Sequence, residues 1–393
     1  MKKLLCVTLA LLMVFALAAC GGGDTPAGTS NNASTGSSAP PGGGDASPPP
    51  VGGDSSSPPA GGDSPAPPVG GAESEYPWNP DNIRNQTFVL AHGLAAESMT
   101  GQQYHAFAVA VEELSGGKMV VDEKVGATLL TDTETFDAVR SGTVDFIHSM
   151  GSFVSGTVTD ITPMTIAGYY GGSDWPGFAD RVYDVASSIY ADYGAKYLGA
   201  LAQGNSVIAT SERQITAPGD VVGLTMRASG TWLSKTVDAW GGSATVISLA
   251  DLADSFNRGV VQGVMTGLNI IVPFKIYEVA EYITTTTISE GFAALLMSMD
   301  RFNELNADEQ ALIEYAGLIF QSRSLELAYQ YMDLYLKEID DSGLCQVVAL
   351  SPAQEAEFIR IAYSLFPQME AEENLSSKGL ELIRILKEVN GIS

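Results

Sequence analysis

Apolar positions recur with two different periods along residues 85–393, and segments of the two kinds alternate. Short runs rich in β-branched and aromatic residues, such as TFVLAHG at 87–93, predict buried strands. Apolar residues spaced three and four apart, as in residues 99–114, predict amphipathic helices between the strands. The C-terminal third has the helical period, with capping-box sequences at 306–309 and 351–354. Strands that alternate with helices in this way predict α/β layers with largely parallel sheets.

The first twenty residues have the pattern of an exported lipoprotein. Lys2 and Lys3 precede an apolar run, residues 4–19, that is too short and wrongly flanked for a membrane-spanning helix. The run ends in Leu-Ala-Ala-Cys, which resembles the bacterial lipobox, where the signal peptide is cut before a lipidated cysteine. We expect residues 1–19 to be a signal peptide and Cys20 to carry the lipid. The alternative is an ordinary signal peptide followed by a chance cysteine.

Residues 20–83 differ in composition from the chain that follows them. They consist largely of Gly, Pro, Ser, Ala and Asp, and they contain no Lys or Arg. Such a segment has too few large apolar side chains to offset the conformational entropy lost on folding. We therefore predict a disordered linker here. The remaining residues, 84–393, are numerous enough to form a domain of two lobes.

The charge of the chain excludes one class of partner. There are 46 Asp and Glu against 20 Lys and Arg, a formal net charge of −26, which becomes −28 once Lys2 and Lys3 leave with the signal peptide. So acidic a surface repels nucleic acid and anionic membrane surfaces. We expect no nucleic-acid partner. We expect the protein on the extracytoplasmic face of the cell envelope, in contact with the membrane through its lipid anchor only.

The sequence lacks the motifs of common catalytic and metal sites. Its histidines are His92, His105 and His148, and no two of them have the spacing of metal ligands on a helix. There is no nucleophile elbow, no phosphate-binding loop and no dinucleotide fingerprint. Besides the lipidated cysteine, only Cys345 remains in the mature chain, which excludes an intrachain disulfide. We predict a protein that is not an enzyme and that has no catalytic residues, metal or cofactor.

One arginine stands out because cations are scarce. The stretch GLTMRASG, residues 223–230, places Arg227 in the middle of a short apolar strand, where packing would favour Val or Ile. Two interpretations are open. Either the strand lies at the edge of a sheet and Arg227 is solvated, or Arg227 faces a cleft and binds an anion.

Five segments, in the right order, resemble the solute-binding proteins of tripartite ATP-independent periplasmic (TRAP) transporters. The resemblance covers roughly residues 86–370. The segments are GGKMVVDEKVGATLLTDTETFDAVRSGTVDF, ITAPGDVVGLTMRASG, SATVISLADLADSFNRGVVQGVMTGL, KIYEVAEYITTTT and FNELNADEQALIEYA.

The resemblance implies a periplasmic-binding-protein-like α/β fold, in which two lobes joined by hinge strands close on a ligand in the cleft between them. Lobe I would comprise about residues 85–204 and 290–325, and lobe II about residues 205–289 and 326–393. The implied function is capture of a small organic acid by a monomer. The acid would pass to the small and large membrane subunits of a transporter driven by an ion gradient.

The resemblance also implies ligand-binding residues. Arg227 occupies the position of the family's carboxylate-binding arginine, and its planar fork of donors suits a carboxylate. Weaker candidates lie at strand ends and loops near it: Thr266, His148, Ser149, Asn205, Gly230 and Trp232. Each also has a purely structural explanation, such as core packing for His148 or Trp232. A second cation that is common in the family has no counterpart, because Asn205 and Ser206 stand there, which favours a monocarboxylate or an acid whose far end is neutral.

Two other functions fit the sequence. The protein would bind an uncharged solute and serve another transporter or a sensor, or it would be a surface lipoprotein with a structural or adhesive role.

Overall fold

The computed structural model describes residues 76–392, except 169, 171–173, 248 and 290. The predicted signal peptide, the lipid attachment site Cys20 and residues 20–75 of the predicted linker lie outside the described residues. Across the described part of the chain, no helix combines the length and the apolar character that a membrane span requires.

The strands are mostly four to seven residues long and the helices vary widely in length. The strands are β1 (Gln86–Ala91), β2 (Met119–Lys124), β3 (Phe146–Met150), β4 (Ala195–Leu201), β5 (Ser206–Thr210), β6 (Thr225–Ala228), β7 (Ser243–Val246), β8 (Gly263–Gly267), β9 (Tyr282–Thr285), β10 (Ala293–Ser298) and β11 (Gln346–Ala349). The helices are α1 (Met99–Leu114), α2 (Thr135–Arg140), α3 (Gly151–Val154), α4 (Trp175–Ala191), α5 (Thr231–Trp240), α6 (Leu249–Asn257), α7 (Leu268–Ile271), α8 (Met299–Asn303), α9 (Ala307–Ser342), α10 (Pro352–Tyr363), α11 (Phe366–Glu373) and α12 (Ser377–Val389).

The strands form two sheets, one in each lobe. The first sheet has the order β2-β1-β3-β10-β4 and the second the order β11-β9-β5-β8-β6-β7. Most neighbouring pairs are parallel, but β10 is antiparallel to β3 and β4, and β5 is antiparallel to β8 and β9. The two-lobe α/β fold is confirmed. The prediction of largely parallel sheets is wrong for β10 in the first sheet and for β5 in the second, because each runs antiparallel to both of its neighbours.

The two antiparallel strands are those that follow a crossing between the lobes. The chain passes from β4 to β5 through residues 202–205, and from β9 to β10 through residues 286–292. A strand that enters a lobe from the hinge begins where the other strands of that lobe end. It must therefore run antiparallel to them, which no local hydrophobic pattern indicates.

Aromatic side chains hold α1 and α9 on the first sheet. Phe107 of α1 packs edge-to-face against Phe146 of β3, with ring centroids 5.0 Å apart, and against Phe320 of α9, at 6.2 Å. All three side chains are fully buried. Since burial of one such side chain contributes about 1.5–3 kcal/mol, these contacts fix both helices firmly.

Helix α9 runs along both lobes. It has 36 residues, a length of about 54 Å at the rise of an α-helix. Its first half packs on β4 of the first lobe, and it also contacts α7 of the second lobe. The closest approach is at Gly317, where a Cβ would lie 2.4 Å from the carbonyl oxygen of Leu198 in β4. Only glycine permits that contact.

The C-terminal helices do not all belong to the second lobe. Helix α10 packs on α5 of that lobe. Helix α12 instead packs on α4 of the first lobe and on the 3-10 segment Thr159–Thr165. Its apolar side, with Leu382 and Leu386 fully buried, requires that partner. The predicted lobe boundary is therefore wrong for α12.

The predicted capping boxes at the starts of α9 and α10 are both present. At α9, the Glu309 carboxylate also accepts hydrogen bonds from the Nε of Arg84 at 2.8 Å and from the amide of Gln86 at 2.9 Å. The Glu309 side chain has no exposed surface. Burial opposes its ionisation, but the hydrogen bonds from Arg84 and from the Asn306 backbone prevail and lower its pKa to about 2.

We predict that Glu309→Gln lowers the stability of the domain by about 1–3 kcal/mol at pH 6, because a buried charged acceptor is lost. The folded-state pKa lies below the ordinary value, so this stabilisation is present above about pH 4.5 and is lost as the pH falls towards 2. Urea denaturation should show a smaller difference in the free energy of unfolding between wild type and variant at pH 3 than at pH 6.

The matched control is Glu326→Gln on the same helix, since Glu326 forms an exposed ion pair with Arg323. This control should change stability by less than about 1 kcal/mol. Equal effects of the two substitutions at pH 6 would contradict a stabilising role for the buried carboxylate.

Candidate functional site

A cavity of about 60 Å³ lies between the lobes, at the carboxyl ends of β3, β6 and β8. The first lobe contributes Asp132 and His148 to its walls, and the second lobe contributes Arg227 and Thr266. Gln203, from a crossing segment, also lines it. Ligands of α/β proteins commonly bind at the carboxyl ends of strands. We take this cleft cavity as the candidate site.

Arg227 is buried in the cleft rather than solvated at an edge. Its strand, β6, lies between β7 and β8, and the residue is only 5% exposed. The Arg227 Nε donates a hydrogen bond to the carbonyl oxygen of Ile247 at 3.1 Å. The interpretation of Arg227 as a solvated edge residue is therefore wrong. The backbone contact fixes the direction of the guanidinium at the cavity wall.

Thr266 also lines the cavity, from the neighbouring strand β8. It is fully buried, and its backbone pairs with Val207 of β5. The sheet thus places Thr266 and Arg227 on adjacent strands of the same wall.

His148 lines the cavity from β3, with its Nδ1 3.0 Å from the hydroxyl oxygen of Tyr104. The same hydroxyl donates to the carbonyl oxygen of Ala294, also at 3.0 Å. Burial lowers the pKa of His148, so its neutral form is favoured. Nearby His92 is fully buried, and burial lowers its pKa to about 4.

Ser149 and Asn205 lie outside the lining of the cleft cavity. Ser149 follows His148 on β3, so its side chain faces the opposite side of the strand. Asn205 lines a second cavity of about 50 Å³, and its backbone N–H donates to the Sδ of Met332 at 3.1 Å.

Trp232 packs within the second lobe instead of covering the cavity. It is 2% exposed, and its Nε1 donates to the carboxylate of Glu373 at 2.7 Å. The ammonium group of Lys235 lies over its ring, 4.0 Å from the centroid. These contacts account for the tryptophan as a packing residue of α5.

Gly230 lies just outside the cavity lining, where the two lobes touch. A Cβ at Gly230 would lie 3.3 Å from the Cβ of Ser152, which lines the cavity from the first lobe. A second contact joins the lobes nearby, where the amide nitrogen of Asn269 is 3.4 Å from the hydroxyl oxygen of Thr100.

Asp132 is the functional candidate that the sequence did not indicate. Its position shortly before a helical segment is typical of a helix cap, but α2 begins later, after Glu134. The Asp132 Oδ1 instead accepts a hydrogen bond from the backbone N–H of Gly93 at 2.7 Å, and the residue lines the cavity. In the sequence alone, an acidic residue just before a helix looks the same whether it caps the helix or lines a cavity.

Met150, Gln203 and Asn269 were also missed. Gln203 donates from its amide nitrogen to the Sδ of Met150 at 3.0 Å, and all three residues line the cavity. Met150 ends a strand, Gln203 lies in a crossing segment and Asn269 lies in the short helix α7, and none of these positions has a readable motif. In the described part of the chain, no group of three His, Cys, Asp or Glu side chains is placed to hold a metal ion.

The family model for "Bacterial extracellular solute-binding protein, family 7" matches residues 90–373. Among curated proteins, the chain is similar to an ectoine/5-hydroxyectoine-binding periplasmic protein of Ruegeria pomeroyi, with 23% identity over 175 residues. That match covers 44% of this chain and 49% of the relative. The chain thus spans about half the length of this curated relative.

Solved structures with the same fold are TRAP periplasmic solute-binding proteins. One, from Ochrobactrum anthropi, has a C-terminus bound in the ligand-binding pocket; its TM-score is 0.71 at 22% identity, covering 79% of this chain and 97% of that chain. Another, from a Sulfitobacter species, holds β-D-galacturonate; its TM-score is 0.68 at 18% identity, covering 77% of this chain and 100% of the other. At these low sequence identities, the similarity to the two solved structures is a similarity of fold.

We predict that Gly230→Val holds the lobes apart. The φ of Gly230 is extended, which valine adopts readily, but the added methyl groups would overlap Ser152 across the cleft. Small-angle scattering of the variant should show a larger radius of gyration than wild type at an unchanged melting temperature. Gly219→Val is the control, since a Cβ at Gly219 meets nothing within 4 Å. Identical scattering of wild type and both variants would contradict the prediction.

Proposed function

The chain belongs to family 7 of the bacterial extracellular solute-binding proteins, and we propose that it captures a small organic carboxylate in its cleft cavity, with Arg227 as the carboxylate-binding residue. The resemblance to TRAP solute-binding proteins is confirmed by the family model and the fold. This is a family of binding proteins for transport and not of enzymes.

The observation that supports the proposal most is a guanidinium buried at the wall of a cleft between two lobes. A charge-assisted hydrogen bond between a guanidinium and a carboxylate is strong, and more so where bulk water is excluded. The Ile247 carbonyl oxygen orients the Arg227 guanidinium through its Nε. A guanidinium held in this way offers a planar set of donors, which matches a carboxylate better than an ammonium group does.

The ligands of similar proteins support the same chemical class. The Sulfitobacter protein holds a uronate, and the Ruegeria protein is named for ectoine binding. Both ligands are small carboxylates with further polar groups. Here His148 and Thr266 line the same cavity as Arg227, and we assign them to those further polar groups of the ligand.

Closure of the lobes completes the site. The cavity walls come from both lobes, and the chain crosses between them at residues 202–205 and 286–292. An open form would admit the ligand, and the contacts between Gly230 and Ser152 and between Asn269 and Thr100 would form on closing. Binding that favours the closed form shifts the population towards it.

Delivery to TRAP membrane subunits and lipid attachment at Cys20 belong to the same proposal. The apolar run at 4–19 followed by Leu-Ala-Ala-Cys supports the anchor. Residues 20–83 contain no Lys or Arg and few large apolar residues. A segment of this composition buries too little surface to fold, which suits a flexible tether between anchor and domain. The protein would act on the extracytoplasmic side of the membrane.

We predict that Arg227→Ala weakens binding of carboxylates at least a hundredfold, or about 2.8 kcal/mol. The loss follows because a ligand carboxylate enclosed in the cleft would lack its cationic partner. Calorimetry with a panel of galacturonate, ectoine, succinate and short monocarboxylates first identifies those that bind wild type. The same ligands are then titrated into the variant.

Two further variants sharpen this test. Arg227→Lys should recover only part of the affinity, because lysine lacks the planar fork. Arg258→Ala should leave the affinity unchanged, since Arg258 is exposed just after α6 and pairs with Asp254 of that helix. Near-equal affinity of wild type and Arg227→Ala for every carboxylate that binds would refute the role of Arg227. No binding by any carboxylate would refute the proposed function.

We predict that Cys20→Ala releases the protein from the membrane fraction of expressing cells. Acyl chains on a cysteine anchor a protein by burying methylene groups in the bilayer, and the substitution removes the attachment point. Detergent phase partitioning of wild type and variant measures the difference. Partitioning of wild type into the aqueous phase would contradict lipidation.

A further inference from the structure

Resting on the proposed function, we propose that Tyr104 is a positioning residue that fixes the tautomer of His148. His148 then presents an unprotonated Nε2 to the cleft cavity and requires a hydrogen-bond donor, a hydroxyl or N–H group, on the ligand. His148 lines the cavity, whereas Tyr104 lies outside the cavity lining. The selection is between donors and acceptors at the far end of the ligand, whatever the charge there.

The hydroxyl group of Tyr104 is held in one place. Tyr104 is fully buried, and its ring packs against the rings of His92 and Phe320, with centroids 5.2 Å apart in both cases. Burial raises the pKa of Tyr104, so the hydroxyl group keeps its proton. The hydroxyl oxygen lies 3.0 Å from the carbonyl oxygen of Ala294 in β10, and 3.0 Å from the Nδ1 of His148 in the adjacent strand β3. One hydroxyl group thus serves two buried partners.

The two partners of this hydroxyl group set the direction of both hydrogen bonds. The carbonyl oxygen of Ala294 only accepts, so the single proton of Tyr104 lies on that bond. The Tyr104 oxygen is then the acceptor for Nδ1 of His148, which carries a hydrogen. In the opposite tautomer, Nδ1 and the carbonyl oxygen would compete for one proton, and one buried acceptor would lose its donor. Burial lowers the pKa of His148 and favours the neutral ring, so Nε2 is left without a hydrogen and accepts.

Nε2 of His148 is open to the cavity. The residue is 6% exposed and belongs to the cavity lining. Within the described residues, Nε2 of His148 has no hydrogen-bond partner, yet it is not one of the fully enclosed polar atoms that lack a partner, as the Nε2 of His92 is. It therefore retains accessible surface, and the cavity is the space it faces. When a ligand displaces water from the cavity, the ligand has to replace the hydrogen bond of this nitrogen.

An acceptor at this wall discriminates between ligands. With the ligand carboxylate at Arg227 on the second lobe, a hydroxyl or N–H group at the other end can donate to Nε2 of His148 on the first. An ether oxygen or a fully substituted amide cannot donate and leaves Nε2 without a partner. Sites built to hydrogen-bond a ligand group discriminate strongly against analogues that lack it. The ligand is therefore a small carboxylate with a hydrogen-bond donor remote from the carboxylate.

The first test is a panel of matched acids of two to six carbons, titrated by calorimetry into the full-length protein. For each chain length it contains the unsubstituted acid, the ω-hydroxy acid with its methyl ether, and the ω-carboxamide acid with its N,N-dimethylamide. The hydroxyl and carboxamide arms separate the two sources of the donor. At the chain length that binds best, the acid with the donor should bind at least tenfold more tightly, about 1.4 kcal/mol, than its methylated partner and the unsubstituted acid.

Tyr104→Phe tests the positioning residue. The ring packing is retained, and the melting temperature verifies the fold. Without the hydroxyl group the Nε2–H tautomer of His148 becomes accessible, and it donates to an ether or amide oxygen. The preference for the donor-bearing acid over its methylated partner should therefore fall at least fivefold, which the size of the added methyl groups alone does not explain. Tyr277→Phe is the matched control, because its hydroxyl group donates to Glu338 at 2.9 Å outside the cavity lining, and it should leave the preference unchanged.

Nitrogen NMR of the ligand-free protein reads the tautomer directly, because protonated and unprotonated imidazole nitrogens differ in chemical shift. The chain has three histidines, and His148→Gln identifies the signals of His148 by their loss. Wild type should show the hydrogen on Nδ1. Tyr104→Phe should show a population with the hydrogen on Nε2, and Tyr277→Phe should match wild type.

The outcomes separate this inference from the proposed function. A wild-type spectrum with the hydrogen on Nε2 would overturn the inference, as would methylated acids that bind as tightly as their donor-bearing partners. Equal preferences of the Tyr104→Phe and Tyr277→Phe proteins would overturn the role of Tyr104. The spectrum and the panel on wild type decide the matter even where Tyr104→Phe does not fold. If carboxylates bind through Arg227 without a preference for donors, the proposed function stands alone; if no carboxylate binds, the proposed function and the donor requirement both fail.

Discussion

The close contact between Gly317 of α9 and Leu198 of β4 is the constraint on which the arrangement of the lobes depends. A Cβ at Gly317 would lie 2.4 Å from a backbone oxygen, so no other residue permits the helix to lie so near the sheet. The approach is mutual, since a Cβ at Gly199 would lie 3.1 Å from the carbonyl oxygen of Gly317. A 36-residue helix fixed in this way to the first lobe also contacts the second. Helix α9 therefore joins the two lobes alongside the chain crossings at 202–205 and 286–292.

Those crossings explain both the mixed sheets and the position of the site. β5 and β10 begin at the hinge and run against their neighbours. The strands that run the other way end at the cleft, and their last residues present side chains to it. His148 and Arg227 reach the cavity for this reason. The same topology that makes a hinge therefore also concentrates polar side chains between the lobes.

The sequence predicted the layered fold and most elements, because their hydrophobic periods and caps are local signals. The capping boxes of α9 and α10 are examples. Strand direction in β5 and β10 and the return of α12 to the first lobe depend on contacts between distant segments, which no local period contains. At the site, a motif singled out Arg227, whereas Asp132 looked like a helix cap. Trp232 is close to Arg227 in the sequence, but its indole N–H donates to the Glu373 carboxylate and its ring lies under the Lys235 ammonium group.

The strong negative charge of the chain and the charge of its cleft act at different distances. The formal net charge is −26, but at physiological salt its field extends only about 8 Å from the surface. Inside the cavity, the local charges of Arg227 and Asp132 therefore outweigh the overall charge. So acidic a surface repels the phosphates of nucleic acid and of anionic lipid. Arg227 and Asp132 line the cleft from opposite lobes, so the cavity combines a cationic and an anionic wall inside a strongly acidic protein.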